Sequence, residues 1–443
     1  MAAVFLVRVL LTAMAVPLLS VTATSALAQS APSTDAPPVL SFNPDAGVVV
    51  QSDDFRITAW GFAERLIDPD GRDSWRRVRQ GAEFDLPRLT THLRAAVVYE
   101  VDLTNSDFLH NGPFRRNFEN LFVSLQDADD PGLFRVLFGH NTHILSRDDN
   151  LSSGNLPTIN RSLVLEEHGS VNTFGAQMGF QLQKALSPKT TIQFSLGDNR
   201  GSLNAGEYHG SIGRSVAGKL LLTPINDAQG ARKLTLGFAS DFTSGITNRD
   251  FTLGTAIGQA PLGGVAATGG KLTFEADAAY TFPLAGRPAT IEGEVIRSRF
   301  SGSKSDVFGG YVMGQVSLFD TRKAGDLDLF LRYDFVSLGR DAIMGRARQS
   351  AIRAGFNYNL PFTGKLASLH VEYAHNSVSG PAAIITQIKP ADEFRIGLRI
   401  SLQCYTRHLF QDPSCLVRRS KPRKCGGTVT ASCAQTAHWE NGS

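Results

Sequence analysis

The stretch "LTTHLRAAVVYEVDL", residues 89–103, sorts its residues onto two faces. Leu89, Thr91, Leu93, Ala95, Val97, Tyr99, Val101 and Leu103 form one, almost wholly apolar. Thr90, His92, Arg94, Ala96, Val98, Glu100 and Asp102 form the other, which carries the charges. A period of two is a strand signal. "KLTFEADAAYTF" (271–282), "DLDLFLRYDF" (326–335) and "DEFRIGLRISL" (392–402) repeat it. Such runs reach about ten to fifteen residues, whereas strands of soluble sheets typically span about 5–6. Sixteen are predicted: 55–65, 75–86, 91–103, 118–126, 133–140, 172–183, 190–197, 216–223, 232–243, 271–282, 289–299, 309–319, 327–337, 350–360, 366–375 and 392–403.

The connections alternate in length. Short turns are expected at 185–190, 226–231, 283–288, 320–325 and 361–365, and longer Gly- and Ser-rich loops at 198–215, 244–270, 300–308, 338–349 and 376–391. Short turns on one rim and long loops on the other belong to an all-β, antiparallel transmembrane barrel. An even strand number places both ends of the barrel on the short-turn, periplasmic side.

The start of the chain agrees. "MAAVFLVRVLLTAMAVPLLSVTATSALAQS" has a basic Arg8, an apolar run from Val9 to Leu19 and Ala26-Leu27-Ala28 before Gln29. This is the pattern of a secretory signal peptide over 1–28. No later run is long and apolar enough for a spanning helix, and only helices and closed barrels satisfy all backbone groups in lipid. Residues 29–54 read as a flexible leader, 55–403 as the barrel and 404–443 as a separate tail. Formal net charge is +3. Arg8 supplies +1, and the tail supplies +4 through Arg407, Arg418, Arg419, Lys421, Arg423 and Lys424 against Asp412 and Glu440. Residues 29–403 therefore carry −2, which speaks against nucleic acid as a partner.

Charges in the strands fall on the face opposite the apolar one. At the bilayer midplane each would cost about 2–4 kcal/mol, so they face the lumen. Sixteen strands enclose more space than side chains fill. The expected function is passive diffusion of small hydrophilic or anionic solutes, with outer-membrane lipid around the barrel. Candidate pore-lining or constriction residues are Arg77, Arg79, Arg94, Arg135, Arg353, Arg395 and Arg399 on strands, and His143, Arg147, Asp148, Asp149 and Arg161 in the connection 141–171. That connection also holds Ile144, Leu145, Leu151, Leu156, Leu163, Val164 and Leu165. So much apolar surface is expected to be buried by folding into the barrel, where charged constrictions set selectivity; the alternative is an outer loop packed on its neighbours or on a partner subunit.

"SWRRVRQGAEFDL" (74–86), "HLRAAVVYEVDLTN" (92–105) and "NLFVSLQDADDPGLFRVLFGHNTHILSRDDNLSSGNLPTINRSLV" (120–164) resemble the phosphate-selective porin O/P family. The likeness lies in an Arg-rich second strand, an alternating third strand with Tyr-Glu, a Phe-Arg-Val-x-x-Gly strand and a loop ending Arg-Ser-Leu. It implies a sixteen-strand, trimeric outer-membrane channel with that loop in the pore. The loop 141–171 has no lysine, and Arg147 and Arg161 face Asp148, Asp149, Glu166 and Glu167. With the body at −2, anion selectivity is expected to be weak.

Two other readings stand beside the porin: a receptor or adhesin barrel without an open pore, and an outer-membrane hydrolase. His92 and His370 are inward by parity, but no G-x-S-x-G is present. No cofactor, metal or catalytic residue is predicted. The tail "CYTRHLFQDPSCLVRRSKPRKCGGTVTASCAQTAHWENGS" holds all four cysteines, Cys404, Cys415, Cys425 and Cys433, and no periodicity. It reads as an unstructured or frame-shifted end, a disulfide-stapled extension or, given no C-x-x-C, less well as a metal site.

Overall fold

The computed structural model describes residues 39–402 apart from 44–46, 53–54, 68–72, 104–117, 152–155, 166–175, 199–212, 228–230, 255, 257–260, 322–324, 340–344, 362–365, 383 and 386–391. The expected signal peptide and tail lie outside the described residues. Eighteen strands are present among those described. Two are short: β1 (Val39–Asn43) and β2 (Gly47–Gln51). The other sixteen are β3 (Arg56–Ile67), β4 (Asp73–Arg88), β5 (Leu93–Asp102), β6 (Phe118–Asp127), β7 (Phe134–Thr142), β8 (Ala176–Ser187), β9 (Thr190–Asp198), β10 (Arg214–Asn226), β11 (Lys233–Gly254), β12 (Pro261–Leu284), β13 (Arg287–Phe300), β14 (Asp306–Thr321), β15 (Gly325–Gly339), β16 (Arg346–Asn359), β17 (Ala367–Ser379) and β18 (Asp392–Leu402).

Each of the sixteen pairs antiparallel with its neighbours, and β18 pairs with β3. The sheet is therefore a closed sixteen-strand antiparallel barrel. Closure removes the free edges that a sheet otherwise exposes. Along the strands burial alternates, as in β13 and β17. The outward face shows Val123, Phe138, Phe238, Phe274, Leu331 and Ile352 to the surroundings. An apolar surface this continuous is unsuited to water. No helix is long and apolar enough to cross a membrane.

The barrel departs from the expectation in three places. The composition of the leader predicts flexibility, yet β1 and β2 form a hairpin within it. Val48–Gln51 of β2 pair with Arg56–Ala59 of β3, and β18 reaches only Gly61–Ile67 of that strand. The hairpin thus continues the seam that β18 leaves uncovered, and its own residues, VLSFN and GVVVQ, are rich in strand formers. The loop expected at 244–270 is mostly strand: β11 and β12 run 22 and 24 residues and form a hairpin standing beyond its neighbours. Its Gly- and Ala-rich sequence hides the ladder, because small residues give no alternation to see. His92, expected inward, is exposed in the turn before β5.

Two glycines shape the frame. Ala285 and Gly286 join β12 to β13 with φ of 49° and 76°, the twist a two-residue hairpin turn needs. Gly139, at φ 140°, lies where β7 crosses β6 so closely that a Cβ would overlap the backbone of Leu121 and Phe122.

Candidate functional site: a segment held by wall charges

Beyond β7 the chain turns into the barrel. Ser146 caps a one-turn helix, α1 (Arg147–Asn150), by accepting from the Asp149 backbone N–H. The wall completes the cap. Glu294 of β13 accepts from the backbone N–H groups of Arg147 and Asp148 at 3.2 and 3.1 Å. Carboxylates are favoured at these unpaired donors. The Arg147 side chain reaches Glu292, two residues along the same face, at 3.1 Å.

The segment then runs along the wall from β15 to β18, and at each step an inward charge takes a loop group. Arg332 bridges Asp148 at 3.0 Å and Asp334 at 3.1 Å. Arg353 holds Glu372 at 2.5 Å and donates to the carbonyls of Asn160 and Arg161 at 2.9 and 3.0 Å. Glu372 accepts from the Ile159 backbone at 2.6 Å. Asn357 donates to the Pro157 carbonyl. Arg399 joins Glu64 of β3 at 2.9 Å to the Leu156 carbonyl at 3.3 Å. Lys219 of β10 donates to the Leu145 carbonyl at 2.5 Å and pairs with Asp277 at 2.9 Å. Buried charges persist only when paired and hydrogen-bonded, and here the loop backbone supplies many of the partners.

Apolar side chains complete the attachment. Ile144, Leu145, Ile159, Leu163, Val164 and Leu165 share one buried cluster with inward Ala and Val residues of the wall and with Ile384 and Ile385. The core of this protein thus includes space inside its barrel.

The sequence-derived candidates divide into groups. Arg147, Asp148, Arg353 and Arg399 meet in the arrangement just described. Arg161 stays within the segment: it donates to the carbonyls of Asp148, Asp149 and Leu151 and pairs with Asp149 at 3.4 Å. His143 accepts from the Leu145 N–H through Nδ1 and stands 3.4 Å from Asp241, which Lys271 bridges at 2.8 Å. Arg395 faces Glu372 across the ladder. The remaining four lie on β4 to β7. Arg79 pairs with Asp102 at 3.2 Å and Glu119 at 2.7 Å, and Arg94 with Asp85 at 3.1 Å. The Arg135 guanidinium lies over the Phe122 ring at 5.4 Å. Arg77, like Arg79, Arg94 and Arg135, has a buried guanidinium nitrogen without a hydrogen-bond partner; it lies close to Arg76, Arg79 and Arg161, with Glu64 the acid nearby, and makes no salt bridge among the described residues.

Sequence reasoning missed Glu64, Arg76, Asn160, Asp241 and Lys271. Arg76 binds Glu64 at 2.9 Å and also Asn160. Its parity predicts an outward side chain, but the register shifts between Glu64 and Arg65. A bulge of this kind changes which way a side chain aims and leaves no mark in the alternation. Asp241 and Lys271 share the parity of the inward Glu275 and Asp277, and that signal was available.

Burial raises the Asp148 carboxyl pKa, but the Arg332 guanidinium outweighs it and holds the group below the usual carboxylate range. A depressed folded pKa gives stability that is complete above the unfolded value, about 3.9, and lost only as pH falls through the lower folded one. The contact between Asp148 and Arg332 should therefore stay intact from pH 8 to about pH 5. Protease nicking of the segment across this range measures it, and release near pH 6 would show that Asp148 is not the anchor.

Ser368 and His370 are a possible hydrolytic pair, with Oγ and Nε2 2.9 Å apart. Both are buried, and His370 Nδ1 has no hydrogen-bond partner to orient it. A nucleophile–base pair requires that third group and access to substrate.

No family profile matches the chain, and no curated protein matches it in sequence. Solved structures do match. OmpT of Vibrio cholerae, an outer-membrane expressed protein, aligns over 80% of this chain and 99% of its own, with 10% identity and a TM-score of 0.52. A form of the same protein lacking loop L8 aligns over 79% and 100%, with 12% identity and a TM-score of 0.53. The likeness is one of fold. At this identity it carries the sixteen-strand architecture and nothing about solute or chemistry.

Proposed function

We propose that this chain is an outer-membrane porin, exported by residues 1–28, through which small hydrophilic solutes diffuse passively. The observation that carries this is the segment 143–165, bonded inside a closed barrel whose outer face is apolar and whose inner face is charged. The segment is held chiefly by β10 to β18 and is linked to β3 and β4 through Glu64 and Arg76, so we place the water-filled path between it and the wall towards β5 to β7. Arg77, Arg79, Arg94 and Arg135 border that path, and Arg147, Asp148, Arg353 and Arg399 belong to the structure that narrows it. OmpT has been solved in a trimer form, and a homotrimer is the assembly we expect here. The orphaned Nδ1 of His370 favours a non-catalytic barrel.

Selectivity follows from the charges left uncompensated at the narrowest point, since exposed charges more than about 8–10 Å apart are screened at physiological salt. Arg79 and Arg94 are each matched by acids. Arg77 is the cation left over, so the pore should be weakly anion-selective, and Arg77→Ala should bring chloride and potassium permeabilities close to equal. Reversal potentials across a KCl gradient measure this. Strong anion selectivity with block by micromolar phosphate would contradict the weak-selectivity reading and favour a dedicated phosphate channel.

The apolar cluster inside the barrel favours a second reading, a receptor or adhesin with no open path. Planar-bilayer recordings separate the two: steady unitary currents support the porin, and their absence from correctly folded protein supports the closed barrel.

A further inference from the structure

The outward face of β13 to β16 carries a cluster of exposed cations at one rim of a largely apolar outer wall. The ladder registers set them in two rows across the strands. In one row Phe274, Arg297, Phe308, Ser337 and Arg348 stand directly opposite one another from β12 to β16. In the row nearer the long connections the order is Leu272, Arg299, Asp306, Gly339 and Arg346. Towards the other rim the outward residues of these strands become Val295, Val312, Tyr333 and Ile352, all exposed. Charge lies at the level of the rim, and apolar surface begins one row below it.

Asp306 is the one carboxylate in these rows. It takes Arg346 at 2.8 Å and Arg297 at 4.0 Å, and both arginine side chains remain about half exposed, 46% and 48%. Arg299, Arg348 and Lys304 of the adjoining turn are exposed and form no ion pair among the described residues. Two grooves of about 840 and 680 Å³ open between these cations and the aromatic side chains of Phe242, Phe308, Tyr333 and Phe335.

We propose that this patch binds a phosphate-bearing lipid of the outer leaflet. The cations take its phosphates, and the grooves take the first part of its acyl chains. The inference rests on the outer-membrane reading and goes beyond it. Guanidinium groups match phosphate oxygens in bidentate geometry. Arg297 and Arg348 sit three strands apart, about 14 Å at roughly 4.8 Å per strand, which suits a headgroup with two phosphates better than one. A subunit contact is the competing occupant, since arginine and aromatic residues are also enriched in interfaces; the oligomeric state of the variant described next separates the two.

The test uses the full barrel purified in detergent, with bisphosphorylated lipid A as the probe and intact-complex mass spectrometry as the readout. Wild type should keep the lipid. The triple variant Arg297→Ala, Arg299→Ala, Arg348→Ala should lose it, while Arg88→Ala with Arg232→Ala, on the short-turn rim, should keep it. If the triple variant does not fold, Arg299→Gln and Arg348→Gln are tested singly, and either should weaken retention. Equal retention by the folded variants, equal retention of phosphatidylcholine, or displacement by inorganic phosphate at matched concentration would each overturn the proposal. So would loss of trimers in the triple variant without any lipid bound by wild type, which would make the face a subunit contact. Membrane fractionation of wild type is scored separately: failure to reach the outer membrane defeats the underlying reading, whereas correct fractionation without lipid defeats this inference alone.

Discussion

Protein lacking residues 146–160 is expected to fold into the same closed barrel and to pass about twice the current per channel, or more. The deleted stretch contains α1 and the groups that Glu294, Glu372, Arg399 and Arg353 hold. A helical turn with its side chains fills roughly 10 Å of lumen, a large share of a sixteen-strand interior. Among its described residues no rung of the barrel ladder is found, so the sheet keeps its closure. The wall charges that lose loop partners gain water and one another. Single-channel recordings beside a heat-modifiability assay of folding make the comparison. A folded deletion variant with unchanged conductance would put the segment outside the conduction path and remove the constriction from the proposed function.

Arg353→Met should loosen the segment and leave the barrel standing. Arg353 is fully buried and serves two carboxylates, Glu372 and Asp334, and two loop carbonyls. Methionine keeps much of the stem and removes every donor. Breaking a buried pair costs about 3–5 kcal/mol, because the partner charge is left uncompensated. That cost falls on the segment, which can move away and admit water. The strands are fixed by ladders on both sides. The variant should therefore be cleaved by protease between residues 143 and 165 under conditions where wild type resists, and its channel currents should flicker. Adding Glu372→Gln to the variant should restore part of the resistance, since it removes the orphaned carboxylate. Resistance equal to wild type in Arg353→Met would mean that the apolar cluster holds the segment unaided.

Most of the barrel could be read from the chain. All sixteen wall strands coincide with predicted alternating runs, because a wall with lipid on one side and water on the other forces period two on every strand. The reading weakened wherever that contrast fades. The far end of the β11–β12 hairpin buries Ile246, Val265 and Ala267, but its Gly- and Ala-rich sequence leaves little contrast between the two faces. The β1–β2 hairpin is held by backbone pairing with β3, an interaction that asks little of side chains.

The candidate site was legible as a list of inward charges and an apolar connection, and it was illegible as a network. Parity told which way Arg332, Asp334, Arg353, Glu372 and Arg399 point. It could not tell that they close on Asp148, Ile159, Asn160 and Leu156, which are 184 to 243 residues away in the chain and reach the wall only through the path of the segment across the barrel. Nor could it find Arg76, which a one-residue bulge turns inward to Glu64. Alternation is a local consequence of two solvents and survives in the sequence strand by strand. Which charges neutralise each other depends on distances across the lumen that exist only once the barrel has closed.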